Sequence, residues 1–333
     1  MAKKTNKKLM EIALETFQKH GKNALDIAKR SILQEKIEYK PIYDALRYFS
    51  EELWCDFQHP ALLSLACEAV GGDPETVLNI GASITLLSGA VDIHDDIIDK
   101  SETKASKLTV YGKFGNDIAL LVGDALLFEG LSLLYEACEN LSKNQRIKIL
   151  KLLKDAFFEI GAAEAKEISF KGKHDLKPEE YLDVIERKTA VAEVCMLIGA
   201  ILGGGKIKEI NALGHYGRTL GTLMTIRDEF IDVFEPDELK HRIENECLPL
   251  PILYAFQASE VKDKIIQILE KEILSENDTY EIFEIIMKTK NVQDLKNNIK
   301  LQVKREKKTL NFIRNKKTLT DLKLLLNAGI EDL

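Results

Sequence analysis

Three carboxylates fall within five residues in the stretch His94-Asp95-Asp96-Ile97-Ile98-Asp99. They close an apolar run, Ile84-Thr85-Leu86-Leu87-Ser88-Gly89-Ala90-Val91, that reads as a helix too apolar to be exposed. On a helix, positions i, i+1 and i+4 share one side, so Asp95, Asp96 and Asp99 crowd their charge into one small volume. Uncompensated, that repulsion destabilises the helix. Divalent cations with oxygen ligands relieve it, and Mg²⁺ is the ordinary choice. A second acidic cluster, Asp228-Glu229-Phe230-Ile231-Asp232, repeats the spacing far downstream. The expected metal ligands are therefore Asp95, Asp96, Asp99, Asp228, Glu229 and Asp232. Facing each other across a cavity, the two clusters suit a diphosphate held by two or three Mg²⁺ ions. If the ester is allylic, its ionisation leaves a delocalised carbocation that an apolar cavity would shield from water. Lys188, in Glu186-Arg187-Lys188-Thr189 ahead of the apolar Ala190-Val191-Ala192, is placed to complete the grip. Lys104, just past the first cluster, is a second cationic candidate.

The elements that must position these residues read as helices throughout. Apolar residues recur at three- and four-residue steps in Leu9-Met10-Ile12-Ala13-Phe17 and Leu25-Ile27-Ala28-Ile32-Leu33. Pro60 opens a helix over Ala61 to Val70 that stops at Gly71-Gly72. Asp73-Pro74-Glu75 supplies a cap, a first-turn proline and an early acid for a helix reaching about Asp99. Further helices are predicted over Asp117 to Asn140, Gln145 to Lys166, Pro178 to Leu202, Ile207 to Val233, Pro249 to Ala258 and Val261 to Ile273. Alternating β-branched runs are nearly absent, and no long linker divides the chain. The expectation is one all-α domain over 1–333, a large helical bundle whose interior holds a long ligand.

Bulk properties narrow the class further. The 333 residues are 45% hydrophobic, enough for a sizeable core, and the formal net charge of -7 argues against nucleic acid as the main partner. The basic runs Lys3-Lys4-Thr5-Asn6-Lys7-Lys8 and Lys304-Arg305-Glu306-Lys307-Lys308 read as solvated helix surface. Cys55, Cys67, Cys138, Cys195 and Cys247 form no close pair, which implies a reducing compartment. The lysine-rich N-terminus lacks a signal-peptide core, and no apolar stretch approaches the roughly 20 residues that span a bilayer. A soluble, cytoplasmic protein is expected.

In ordered sequence the chain resembles the trans-isoprenyl diphosphate synthases, the farnesyl and geranylgeranyl diphosphate synthases. The resemblance runs from about Pro60 to Ala255. It is carried by Pro60-Ala61-Leu62 through Ala66-Cys67-Glu68-Ala69-Val70-Gly71-Gly72 and by the unaltered first aspartate-rich motif at His94 to Asp99. Leu108-Thr109-Val110-Tyr111-Gly112-Lys113-Phe114-Gly115-Asn116, Val122-Gly123-Asp124-Ala125-Leu126-Leu127 and Lys188-Thr189-Ala190 follow in order. The second aspartate-rich motif has Glu229 for the usual Asp. The resemblance implies a single helical bundle of the isoprenoid (terpenoid) synthase type with a central cavity. It also implies Mg²⁺-dependent prenyltransferase or terpene-synthase chemistry in isoprenoid biosynthesis. Asp95, Asp99 and Lys188 would be catalytic, Lys104, Lys188 and Thr189 would contact substrate, and the chain would form a homodimer.

The departures from the family pattern fall on one substrate. The family binds isopentenyl diphosphate through basic residues, in a Gly-Gly-Lys-Arg-x-Arg-Pro segment that here reads Trp54-Cys55-Asp56-Phe57-Gln58-His59-Pro60. Asp56, Phe57 and His59 stand for the lysine and the two arginines. Ser88 stands for a histidine and Thr85 for a glutamate. Lys104-Ala105-Ser106 replaces Arg-Arg-Gly, with Lys104 keeping the allylic-side charge. Thr225 and Cys247 replace a glutamine and a lysine of the allylic site. Each lost charge-assisted hydrogen bond removes roughly 1.5–3 kcal/mol from the hold on a diphosphate. Asp92, one turn before Asp95, is an added acid. It is read either as a hydrogen-bonded group of the cavity wall or as a base or acceptor-binding group. Ala90 is small where the family uses bulk to shorten its product, which suits a C20 or longer chain in the cavity; the allylic substrate itself is expected to be C15–C20. The leading expectation is thus an allylic prenyl diphosphate ionised on Mg²⁺ and captured by an unknown acceptor other than isopentenyl diphosphate, or by its own double bond. That acceptor pocket would be lined by Asp56, Phe57, His59, Ser88 and Asp92. Ordinary chain elongation with isopentenyl diphosphate, helped by Lys40, Arg47 or Lys107, is the second reading. A regulatory subunit of a hetero-oligomeric synthase is the third.

Overall fold

In the computed structural model, residues 2–331 and 333 are described, with side chains from Leu9 onward; the lysines at 3, 4, 7 and 8 lie outside those side chains. Sixteen α-helices follow one another. They are α1 (Ala2–Gln34), α2 (Lys40–Tyr48), α3 (Gln58–Ala69), α4 (Leu78–Ile98), α5 (Val110–Phe114), α6 (Asn116–Ala137), α7 (Lys143–Ile168) and α8 (Pro178–Lys188). After them come α9 (Ala190–Leu202), α10 (Ile207–Asp232), α11 (Pro236–Asn245), α12 (Leu250–Ala255), α13 (Ser259–Leu269), α14 (Glu276–Lys288), α15 (Lys290–Thr309) and α16 (Lys316–Ala328). The only strands among the described residues, β1 (Thr103–Lys104) and β2 (Lys107–Leu108), form a minimal antiparallel hairpin. The all-α expectation holds.

α3 lies at the centre because it is apolar on every side, and Pro60 through Cys67 are all buried. It crosses α9 so closely that a Cβ on Gly199 would lie 2.1 Å from the Leu63 carbonyl oxygen. α4 bridges two apolar cores. Its Ile80 and Ile84 pack with α3 and the C-terminal helices, while Leu86, Ala90 and Ile93 pack with α1, α2 and α6. Each fully buried leucine or isoleucine there contributes about 1.5–3 kcal/mol over exposure. The cap read from the sequence is present: the Asp73 carboxylate accepts from the Glu75 N–H, and Pro74 opens a short 3₁₀ turn into α4.

Two expectations change. The helix predicted over Pro178 to Leu202 is two helices, broken at Thr189, whose ψ of 11° leaves the helical well. There the Thr189 Oγ1 donates to the Glu186 carbonyl at 2.8 Å, and Gly221 of α10 packs against its Cβ. Two helical segments, Pro74–Ile98 and Asn116–Ala137, are also long and apolar enough to span a bilayer, where none was expected. The most apolar window of the first is 61% buried and that of the second 33%. All five cysteines are free thiols, with only Cys55 exposed.

Candidate active site

The acidic end of α4 is where this fold concentrates unfavourable charge. Asp95 and Asp96 occupy the last turn and Asp99 caps it, so three carboxylates sit at the negative pole of the helix dipole. Asp96 is 8% exposed. Burial and then repulsion from Asp92 and Asp95, against attraction from Lys104, push its carboxyl up to about 7. Burial, then Asp95 and Glu246, push Asp99 up to about 8. Both carboxyls are thus held partly protonated near neutral pH, and a cation beside them would favour their ionised forms.

Two lysines answer this charge. Lys188, the last residue of α8, lies 2.7 Å from Glu167, 2.8 Å from Glu164 and 3.5 Å from Asp95. Burial opposes its charge, but Asp95, Glu167 and Glu164 together hold the ammonium well above the ordinary lysine range. Lys104 of β1 lies 2.6 Å from Asp92 and 3.6 Å from Asp96. Asp92 is exposed and paired, which fits the reading of a hydrogen-bonded acid at the wall. Thr189 is 8% exposed, and its hydroxyl proton goes to the Glu186 carbonyl.

Sequence reasoning missed Glu164 and Glu167. They sit one turn apart on α7 in Ala162-Ala163-Glu164-Ala165-Lys166-Glu167, a pattern that reads as ordinary solvated helix. Asp95, Asp99 and Glu164 each present a ligand atom within 4.8 Å of the others, the one such group among the described residues. Glu164 Oε1 is buried with no hydrogen-bond partner. An all-carboxylate donor set with an orphaned buried oxygen fits a hard divalent cation such as Mg²⁺. Asp96 faces Lys104 and stands outside this group.

The second acidic cluster is arranged differently from the expectation. Glu229 is 4% exposed, and both its oxygens are occupied. Oε1 accepts from Tyr181 Oη at 2.9 Å and Arg242 Nη1 at 3.0 Å. Oε2 accepts from the Leu250 N–H at 2.7 Å and Arg242 Nη2 at 3.3 Å. A carboxylate has about four lone-pair sites, so none remains for a metal. Glu229 is withdrawn from the ligand set and becomes the anchor of Arg242. That guanidinium also binds Asp232 at 2.7 Å and Glu246 at 2.9 Å, and donates to the Cys247 carbonyl. Burial, opposed by Arg242, pushes Asp232 up to about 7. Asp228 is exposed and pairs with Arg227. Arg242 was also missed, because a lone basic residue in a charged helix carries no sequence signal. The charge of Glu246 reaches Asp99 and Lys188, so α11 and its following loop face the acidic end of α4.

On the acceptor side, His59 Nδ1 lies 2.7 Å from Asp56 and 3.2 Å from Ser88 Oγ. Burial would raise Asp56, but His59 and two backbone N–H groups hold its carboxyl below the ordinary range. Phe57 caps α3 and packs against both cores, and Ala90 is buried beside α6. The lysines and arginine weighed as replacements bind elsewhere: Lys40 pairs with Asp44, Arg47 with Glu51, and Lys107 with the Glu52 carbonyl. Two open clefts of about 400 and 500 Å³, around His215 and Glu306 and around Glu68 and Arg314, touch none of these residues.

The fold and this acidic site define an all-helical bundle of the isoprenoid-synthase type. The geranylgeranyl pyrophosphate synthetase of Pyrococcus horikoshii superposes with a TM-score of 0.84 at 23% identity, covering 96% of this chain and 98% of that one. Residues 58–286 match the polyprenyl synthetase family, and the chain belongs to it. It is 32% identical over 237 residues to the short chain isoprenyl diphosphate synthase of Methanothermobacter thermautotrophicus, covering 68% of this chain and 71% of that enzyme. It is 30% identical to the geranylgeranyl diphosphate synthase of Methanosarcina mazei over 57% of this chain and 58% of that enzyme. Enzymes of this family act on prenyl diphosphates.

Proposed function

We propose that this chain is a Mg²⁺-dependent prenyl diphosphate synthase that binds an allylic prenyl diphosphate and extends it with isopentenyl diphosphate. The observation that carries the reading is the carboxylate group at the end of α4 with Lys188 beside it, in a chain whose named relatives are prenyl diphosphate synthases. The carboxylate site serves either reading, and it is the relatives, named as prenyl diphosphate synthases, that weigh against the altered acceptor expected from the sequence. Asp95 and Asp99 would hold Mg²⁺, with Asp96, Asp228 and Asp232 at the margins. Bound there, Mg²⁺ supplies charge neutralisation on the leaving diphosphate. Lys188 and Lys104 donate to the diphosphate oxygens, and Thr189 fixes the turn that presents Lys188. On this reading the C15–C20 tail runs past Ala90, which is small and buried in the apolar cluster of α4 and α6, and apolar surroundings keep water from the cation. In the extension step the C1–O bond of the allylic ester breaks, a new C–C bond forms, and a proton leaves the adduct.

A second reading, capture by another acceptor or cyclisation, is favoured by one observation. The Asp56–His59 pair beside Ser88 and Asp92 supplies little positive charge for a second diphosphate. The test is a product assay with Mg²⁺ and labelled geranyl, farnesyl or geranylgeranyl diphosphate, with and without isopentenyl diphosphate. Longer diphosphates that appear only with isopentenyl diphosphate support elongation. Metal-dependent loss of the allylic ester without it, giving hydrocarbon or alcohol, supports the second reading. No turnover, with a stable complex on mixing with an active synthase, supports a regulatory subunit. We read residues 1–333 as one domain, acting as a homodimer. The five free thiols support a cytoplasmic setting.

A further inference from the structure

The ion pairs of Lys188 are uneven in a way that its role as a diphosphate contact does not explain. Its two nearest partners, Glu164 Oε2 at 2.8 Å and Glu167 Oε2 at 2.7 Å, are equivalent in distance. They differ in their second oxygens. Glu164 Oε1 is buried without a partner, and Glu164 shares a 4.8 Å group of oxygens with Asp95 and Asp99. Glu167 belongs to no such group. Around an octahedral Mg²⁺, with bonds of 2.0–2.1 Å, neighbouring ligand oxygens stand about 2.9 Å apart and opposite ones about 4.2 Å. Asp95, Asp99 and Glu164 hold their ligand atoms within 4.8 Å of one another, close to that spacing.

We propose that Glu164 of α7 is a ligand of the cation held by Asp95 and Asp99, and that Lys188 competes with that cation for the same carboxylates. The inference rests on reading Asp95 and Asp99 as metal ligands. It adds a ligand that belongs to neither aspartate-rich motif and ties α7 to α4 through the metal. It also gives Lys188 a second task. The ammonium neutralises Glu164 and Asp95 when the metal is not on them, and releases them as the metal binds. Glu167 remains its partner in both conditions, which keeps the ammonium at the site for the diphosphate.

The test is Mn²⁺ titration of the full-length protein without substrate, with free Mn²⁺ read by electron paramagnetic resonance. Glu164→Gln and Glu167→Gln are matched, since each removes one carboxylate from Lys188 and only the first removes a proposed ligand. Glu164→Gln is expected to weaken Mn²⁺ binding at least tenfold and Glu167→Gln less than threefold. Lys188→Met is expected to tighten it severalfold. Equal effects of the two glutamine variants overturn the role of Glu164, and unchanged binding in Lys188→Met overturns the competition. Should Glu164→Gln fail to fold, Glu164→Asp, which keeps the charge and shortens the reach, is expected to weaken binding and is read against the same control. Asp95→Asn separates the layers. If it loses Mn²⁺ while Glu164→Gln does not, the inference alone falls. If Asp95→Asn binds as the wild type does, or the wild type binds none, the metal reading falls with it.

Discussion

At the scale of single residues, the most consequential finding is that Glu229 and Arg242 form a closed unit. Removing one member of a buried ion pair leaves the other charge desolvated, at a cost of about 3–5 kcal/mol. Arg242→Ala is therefore expected to lower stability to urea by that amount, because Glu229 keeps its burial and loses two of its four donors. A loss under 1 kcal/mol would mean that water replaces the guanidinium and that the unit is looser than described. The carboxylates at the end of α4 lead to a second expectation. Burial and mutual repulsion lift Asp96 to about 7, Asp99 to about 8 and Glu164 to about 7, all above their unfolded values. Between about pH 4 and pH 8 the folded chain then binds more protons than the unfolded one, so stability falls as pH rises through that window. In chelator, the melting temperature is expected to drop from pH 5 to pH 8, and Mg²⁺ at pH 8 is expected to restore it by replacing those protons. A melting temperature that rises over this range in chelator would sink the reading. The aspartates were legible because like charges adjoined a helix too apolar to be solvated. Glu164 and Arg242 were not, since their partners lie on other helices and only the fold brings them together.

At the scale of elements, regular periodicity made most helices readable, and the deviations have tertiary causes. The break between α8 and α9 depends on Gly221 packing against Thr189, a contact 32 positions away that local propensity does not report. The C-terminal helices α14 to α16 lay beyond the motif-bearing region and carried no chemical signal. The hairpin that presents Lys104 is the least expected element. Its two turn residues, Ala105 at φ 50° and Ser106 at φ 63°, both lie in the left-handed region, as a two-residue turn of the I′ type demands. Side chains with a Cβ sit there at a cost of roughly 1–2 kcal/mol each. Ser106→Gly is expected to raise stability by about 1 kcal/mol, less the entropy that glycine adds to the unfolded chain. The Lys104 ion pairs should be unaffected, because the lysine lies in β1 outside the turn. A melting temperature lower than that of the parent protein would show that the turn does not hold this conformation in solution.

At the scale of the whole molecule, the surface is uneven. α6 carries Leu121, Phe128 and Tyr135 at seven-residue spacing with Leu131 between them, and all four are exposed, Phe128 by 73% and Tyr135 by 74%. Fourteen residues of helix place this stripe along about 21 Å. Apolar surface of that extent on one face marks a contact with another molecule. A second copy is the economical occupant, since a stripe along a helix can meet its own two-fold image residue for residue. The same stripe explains why α6 is only one-third buried in its most apolar window and yet reads, by composition, as long enough to cross a bilayer. In sedimentation, the wild type is expected to run as a dimer. Phe128→Glu places a charge at the middle of the stripe and is expected to shift it to monomer with helical content unchanged. The acidic group of α4 and α7 is built within one chain, so the monomer should keep its Mn²⁺ binding even as the dimer is lost. A wild type that is monomeric at micromolar concentration would instead leave the stripe for a different partner, and binding to lipid vesicles would then be the measurement that separates a membrane face from a protein one.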